Sequence, residues 1–178
     1  LQGLAVIKKA LRKLRREYEI LVIEGAGSPA EVNLKERDLA NMKVASLADA
    51  PVILVGDIDK GGAFAALVGT LELLGPREKE RVAGLIINKF RGERRLLQPA
   101  LTFLEERTGL PVLGVTPFLD NLEIDEEDSR FSFLSEKPVE KEKDAMVRRR
   151  NREASYDRLA DMLRSELNLK RLYAIMGL

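Results

Sequence analysis

The sequence predicts an α/β fold, in which a parallel sheet carries helices on both faces. Short apolar runs of strand length alternate along the chain with longer stretches whose apolar residues recur at helical spacing. A helix between successive strands is the usual connection in a parallel sheet. Several of the runs also end in an acid or an amide beside a glycine or turn, which predicts a ligand site at the carboxyl ends of the strands.

The chain opens with a predicted helix and a predicted strand. Leucine and isoleucine recur at helical spacing in residues 1–16, which indicates an amphipathic helix. Residues 19–24 form an apolar run that we expect to be a buried strand ending in Glu24. A buried strand holds its last side chain firmly, so Glu24 is the first candidate for chemistry. A second helix is predicted over residues 39–49.

Five further elements follow in alternation. They are a strand over 51–57, a helix over 64–74, a strand over 84–88, a helix over 96–107 and a strand over 111–115. The alternation stops near Asp128, and residues 136–150 are too charged to bury, as in a solvated linker or a frayed helix. Beyond them, an apolar stripe predicts a terminal helix that docks on this domain or on another chain.

Composition narrows the chemistry. The 178 residues include 30 basic and 29 acidic side chains, a balance that gives no reason to expect nucleic-acid binding. No apolar run approaches the roughly 20 residues of a membrane helix, so we expect no membrane partner and a cytoplasmic location. The chain contains no cysteine and no histidine, which removes thiolate nucleophiles, imidazole bases and most zinc sites. Carboxylates, lysines, hydroxyls and a hard metal such as Mg²⁺ remain.

The glycine-rich loop after the first predicted strand has three readings. Gly25, Gly27 and Ala30 fit the loose form of the dinucleotide-binding fingerprint. They also fit a plain strand-to-helix turn whose glycines only supply positive φ angles. Glu24 disfavours the dinucleotide, since its charge would repel a pyrophosphate unless a metal bridged the two. A carboxylate there suits Mg²⁺ and nucleotide phosphates better.

A similar arrangement follows the next strand. Asp57, Asp59 and Lys60 come directly before Gly61 and Gly62, ahead of a helix whose N-terminus can attract an anion. The alternative is that both acids cap the following segment while the lysine is solvated. Two strands that end in an acid beside glycine favour a shared pocket.

The last two predicted strands suggest a site for a purine base. Asn88 ends a strand, and its amide can both donate to and accept from a purine edge. An asparagine that only satisfies turn backbone is the alternative. The loop at 114–119, which contains Pro117, is apolar and suited to one face of a purine.

These segments together resemble the synthetase domain of the cobyric acid synthases. The resemblance covers about residues 1–130 and rests on four runs: Val-Ile-Glu-Gly-Ala-Gly-Ser-Pro-Ala-Glu-Val-Asn-Leu at 22–34, Val-Gly-Asp-Ile-Asp-Lys-Gly-Gly at 55–62, Ile-Asn-Lys-Phe-Arg-Gly at 87–92 and Gly-Val-Thr-Pro-Phe-Leu at 114–119. That family amidates side-chain carboxylates of adenosylcobyrinic acid a,c-diamide in cobalamin biosynthesis, using ATP, Mg²⁺ and ammonia drawn from glutamine. Its fold is that of dethiobiotin synthetases, a branch of the P-loop NTPases.

The resemblance implies a role for each matching position. Glu24 would hold Mg²⁺, and Asn88 and Pro117 would lie near adenine. A loop beside nucleotide and substrate would comprise Gly25, Ala26, Gly27 and Ser28. Contact with the substrate or with an acyl-phosphate intermediate is expected for Asp57, Asp59 and Lys60.

The sequence also departs from the family pattern. No Gly-x-x-x-x-Gly-Lys-Ser/Thr phosphate loop occurs in it, and a Cys-His-Glu glutaminase triad needs residue types that it lacks. Residues 152–161 resemble the extreme C-terminus of the family. We therefore expect an incomplete, N-terminally truncated synthetase domain over 1–130, a charged linker or deletion junction over 131–150 and a helical tail over 151–178.

The sequence-based hypothesis is an amide-forming ligase segment that is inactive alone. Its partners would be the corrinoid substrate and ammonia from a glutaminase domain outside these residues, and a homo-oligomer stays open. Two alternatives remain at this point: a ParA/MinD-like regulatory ATPase, and a noncatalytic interaction module that uses the terminal helix.

Overall fold

A computed structural model describes residues 2–35, 38–120, 122 and 142–178, with the backbone alone described over 142–146. These residues form three strands and seven helices in the order α1 (Gln2–Glu17), α2 (Met42–Ala48), β1 (Val52–Asp57), α3 (Ala63–Leu73), α4 (Pro76–Lys79), β2 (Val82–Phe90), α5 (Arg94–Thr108), β3 (Val112–Pro117), α6 (Glu142–Glu166) and α7 (Leu169–Met176).

The three strands form one parallel sheet in the order β1-β2-β3. The β1–β2 register pairs Gly56 with Ile87 and Asp57 with Asn88, so β1 ends beside Asn88, two residues before the end of β2. Helix α3 leads from β1 toward β2, and α5 connects β2 to β3. The predicted α/β class and its parallel sheet are thus confirmed.

One face of the sheet packs against α3 and α5. Leu85 and Ile87 of β2 are fully buried there, in a cluster with leucines of both helices. A Cβ at Gly56 would lie 2.9 Å from Leu67 Cδ1, so the glycine allows α3 to approach β1 closely. Burial of these large side chains supplies the main driving force for this half of the fold.

The other face is covered near β3 by the junction of α6 and α7. Gly114 pairs with Ile86 and Val115 with Ile87. Because neighbouring residues of a strand alternate between faces, Gly114 lies on the face of the sheet opposite to Val115. Asn168 N–H donates to Leu113 O at 2.7 Å, and an antiparallel bridge joins Gly114 to Leu167. The predicted terminal helix therefore docks on this domain, and helices lie on both faces of the sheet.

The strand expected over 19–24 is wrong. Residues 19–24 form irregular backbone, and Val22 is 89% exposed. A strand is defined by ladder hydrogen bonds to a neighbour, and within the described ranges β1 pairs only with β2. The expected burial failed with the strand, since Ile20 and Ile23 are also exposed, at 47% and 41%. An apolar run becomes a buried strand only where a neighbouring strand pairs with it and another layer covers it.

Helix α2 begins at Met42, three residues later than predicted. Asp38 explains the shift, because its carboxylate accepts from the N–H groups of Ala40, Asn41 and Lys43 at 2.8–3.2 Å. Burial alone would raise the pKa of Asp38, but these backbone hydrogen bonds outweigh it and hold the pKa below its usual value.

The other predicted elements shift only at their ends. Helix α6 begins at Glu142, so residues 142–150 of the expected linker are helical, whereas 131–141 lie outside the described residues. None of the described helices is long and apolar enough to cross a membrane.

Candidate functional site

Two parallel ion pairs cross the carboxyl ends of β1 and β2. Lys89 Nζ lies 2.8 Å from Asp57 Oδ2, and Arg91 Nε lies 2.9 Å from Asp59 Oδ1. Each pair joins residues 32 apart in the sequence, because Lys89 directly follows Asn88, the register partner of Asp57, and Asp59 and Arg91 each lie two residues further along. The two acids predicted from sequence are therefore each paired with a cation, one from Lys89 in β2 and the other from Arg91 directly after it.

Asp57 is held as a carboxylate. The hydrogen bond from Lys89 is the main cause that holds the pKa of Asp57 below its usual value, and a hydrogen bond from Asp59 N–H adds to it. Burial acts in the opposite direction but is weaker in total. Lys60, on the exposed turn that follows, adds a further favourable charge.

Two hydrogen bonds to its amide oxygen fix the Asn88 side chain. Its Oδ1 accepts from the N–H of Lys89 at 2.9 Å and from the hydroxyl of Thr116 at 2.6 Å. Thr116 on β3 is only 3% exposed. Lys89 has a φ of 62°, in the left-handed region that few residues other than glycine adopt. The strand end is thus held in a specific, strained conformation rather than a loose turn.

The loop after β3 lies against the end of β2. Phe118 N–H donates to Phe90 O at 3.0 Å, and the Arg91 guanidinium carbon lies 3.4 Å from the centre of the Phe118 ring. This stacking of a cation on an aromatic face ties the Arg91 side chain to both Asp59 and the loop. Pro117, the last residue of β3, lies directly before this contact.

The glycine-rich loop is held by Asn41, the residue directly before α2, rather than by the sheet. Asn41 Oδ1 accepts from Ala26 N–H at 3.0 Å, and its Nδ2 donates to Ala26 O at 2.8 Å. A Cβ at Gly25 would collide with Asn41 Oδ1, so glycine is required for this double contact. Gly27 has a φ of 64°, and Ser28 Oγ accepts from Ala30 N–H at 3.2 Å, which closes the turn.

The predicted site residues therefore fall into two groups. The sheet edge brings together Asp57, Asp59, Asn88 and Pro117, with Lys60 beside them. Glu24 lies in the exposed loop, and no hydrogen bond or ion pair described for it reaches β1 or β2. In the described part of the chain, no three acidic side chains are close enough to share a metal ion. Glu24 offers a single carboxylate, which fits a magnesium ion whose other ligands are phosphates and water.

Four contributors to the site were missed by sequence reasoning. Lys89 and Arg91 carried a signal, since their spacing matches that of the two acids on the preceding strand. Thr116 and Asn41 carried none, because a single polar side chain reveals its partner only once the fold is known.

The chain resembles proteins named cobyric acid synthase. It is 69% identical over 126 residues to the protein of Pelotomaculum thermopropionicum, covering 71% of this chain and 24% of that protein. Identity is 65% over 124 residues with that of Desulforamulus reducens, covering 70% and 24% of the two chains. For Carboxydothermus hydrogenoformans it is 61% over 141 residues, covering 79% and 28%. The chain thus spans about a quarter of the length of these relatives.

A comparison with protein families gives the assignment. No solved structure matches the chain. The family model described as an AAA domain matches residues 1–125, which include all three strands and every candidate residue above. The match covers more than half of the sequence and agrees with the parallel α/β sheet. The chain therefore belongs to the AAA domain family.

Proposed function

We propose that the chain is the part of a cobyric acid synthase that uses ATP to form amides in cobalamin biosynthesis. The observation that carries the proposal is the 69% identity to such a protein over 126 residues. The polar sheet edge supports it, because open α/β sheets bind ligands at the carboxyl ends of their strands. The substrate would be adenosylcobyrinic acid a,c-diamide, with ammonia released from glutamine by a glutaminase domain outside these residues.

The reaction would proceed through an acyl phosphate. A substrate carboxylate oxygen attacks the γ-phosphorus of ATP and ADP leaves; ammonia then attacks the acyl carbon, loses a proton and displaces phosphate. Such transfers depend mainly on positioning and on offsetting negative charge. Different residues along the sheet edge would position the nucleotide and the substrate and offset the negative charge.

The nucleotide base would lie against Asn88 and the loop that begins at Pro117. The strained turn at Lys89 and the Arg91–Phe118 stack hold this surface in place before a ligand arrives, which reduces the ordering cost of binding. Asp57, Asp59 and Lys60 would face the substrate and the transferring phosphoryl group. Because both acids are already paired with cations, the edge presents far less negative charge to a phosphate than its sequence implies.

Glu24 would supply a carboxylate ligand to Mg²⁺, with Gly25, Ala26, Gly27 and Ser28 shaping the loop beside the nucleotide. A bound magnesium ion would offset the charge that develops on the phosphate oxygens. Glu24 is exposed and no described residue pairs with it, so its oxygens are available to a metal.

The test is corrinoid amidation by the complete enzyme that contains this segment, with free ammonia and a magnesium series. We expect ATP-dependent addition of amide groups. Glu24→Gln keeps the size of the side chain but removes its charge; loss of about 3 kcal/mol of transition-state stabilisation would slow amidation roughly a hundredfold. Glutamine hydrolysis should be unchanged.

The matched control is Glu31→Gln. It removes the charge of another exposed acid in the same segment and should leave the amidation rate unchanged. Wild-type amidation and magnesium dependence in Glu24→Gln would contradict the metal assignment. ATP hydrolysis without corrinoid amidation by the parent enzyme would instead support the regulatory ATPase alternative.

A further inference from the structure

The hydrogen bonds around Asn88 determine which of its polar atoms can meet a ligand. The N–H of Lys89 can only donate, so the Asn88 atom that receives it must be the amide oxygen. The amide oxygen and nitrogen of Asn88 are therefore distinguished by hydrogen bonding, although the two ends of the amide have nearly the same shape. The Thr116 hydroxyl, 2.6 Å from the same oxygen, must then donate to it as well.

These two bonds use the full acceptor capacity of the oxygen. An amide oxygen has two lone pairs, and here both have donors. The Nδ2 group is left with its hydrogens directed away from Thr116, and no described residue accepts from it. Asn88 is half-buried, so the group is reachable from the sheet edge.

We infer that Thr116 is a positioning residue that makes Asn88 a donor toward the nucleotide base. Asn88 then donates to a ring nitrogen of the purine and makes no hydrogen bond with the exocyclic amino group of adenine. A two-point contact that used both Oδ1 and Nδ2 would require the Thr116 hydroxyl to give up its bond. This inference rests on the proposed function, since it presumes that the sheet edge binds ATP.

The burial of Thr116 supports a fixed arrangement. Thr116 is 3% exposed, and among the described residues its hydroxyl has one further acceptor within reach, the Ile87 carbonyl oxygen at 3.5 Å, too long to compete with the bond to Asn88. A hydroxyl in this place has little freedom to rotate toward water. The direction of the Asn88 amide is therefore set by β3, the strand next to the one that carries it.

The first test replaces Thr116 in the complete enzyme and measures amidation with free ammonia as ATP is varied. Thr116→Val keeps the shape and removes the hydroxyl, which should raise KM for ATP roughly two- to tenfold with kcat little changed. Thr116→Ser should restore the parent KM. Thr108→Val is the matched control, since it removes a hydroxyl that bonds only within the end of α5 and the turn after it, and it should leave KM unchanged.

The second test uses the unmutated Thr116 and altered bases. The factor by which Asn88→Ala raises KM should be the same for ATP and for purine riboside triphosphate, which lacks the amino group. The factor should fall to about one with one of the two analogues 1-deaza-ATP and 7-deaza-ATP, namely the one that lacks the ring nitrogen that Asn88 contacts. A factor that disappears with purine riboside triphosphate, or an unchanged KM in folded Thr116→Val, would overturn the inference while leaving the proposed function in place. Absence of ATP-dependent amidation in the parent enzyme would overturn both.

Discussion

At the scale of single residues, charge pairing between β1 and β2 decides the character of the site. The sequence shows one acid at the end of β1 and a second acid and a lysine just after it, which alone would suggest an acidic pocket. The structure adds Lys89 and Arg91, each paired with one of those acids. Sequence spacing could have suggested these pairs, but their partners follow only from a register that aligns Asp57 with Asn88.

The Asp57–Lys89 pair predicts a specific pH dependence. Because the pKa of Asp57 is lowered below its usual 3.8, the folded protein binds this proton less readily than the unfolded chain. The carboxylate therefore stabilises the fold above the usual pKa, and this contribution is lost as the pH falls through the lowered value.

Urea unfolding of this chain from about pH 6 to about pH 3 tests the prediction. The parent should lose more stability than Asp57→Asn over that range. The difference should be about 1 kcal/mol or less, since 29% of the Asp57 side chain is exposed and solvent screens the pair. Identical pH profiles for the two proteins would contradict the pairing.

At the scale of elements, periodicity predicted most of the fold and failed where tertiary contacts decide. The strands β1, β2 and β3 and the helices α3 and α5 match their predicted positions to within a few residues, because each is both periodic in sequence and buried. The run at 19–24 has the same apolar character but pairs with none of the strands in the described part of the chain. The sequence did not predict that α6 and α7 pack on β3, because an apolar stripe on a helix indicates burial but does not identify the surface that buries it.

Gly114 is the residue that permits this docking. A Cβ there would lie 2.5 Å from Leu167 Cδ2 and closer still to the Glu166 carbonyl oxygen. Gly114→Ala should therefore push the α6–α7 junction away from β3, at a cost of about 1–3 kcal/mol. Gly69→Ala is the matched control: the same methyl group meets open space in α3, and it should raise stability by up to about 1 kcal/mol.

Amide hydrogen exchange reports the effect at the contact itself. Asn168 N–H, which donates to Leu113 O in the parent, should exchange faster in Gly114→Ala and at the parent rate in Gly69→Ala. Unchanged protection at Asn168 in folded Gly114→Ala would show that the tail does not depend on this contact.

At the scale of the whole molecule, the fold gathers residues from distant parts of the sequence at one end of the sheet. Asp57 and Asn88 meet there because they are the last register partners of the β1–β2 pair, and Thr116 joins them from β3. The Glu24 loop is held separately, by Asn41 at the start of α2. The α/β class and the edge residues could be predicted from the sequence, whereas the position of the loop depends on contacts that only the fold reveals.

The central claim is that this end of the sheet binds the nucleotide, and Asn88 tests it most directly. In the complete enzyme, Asn88→Ala should raise KM for ATP while largely sparing kcat, because a base contact is made equally in the ground state and the transition state. The measurement is the initial rate of corrinoid amidation against ATP concentration, with free ammonia in excess. An unchanged KM in a folded Asn88→Ala enzyme would contradict the account and leave Asn88 as a residue of the turn alone.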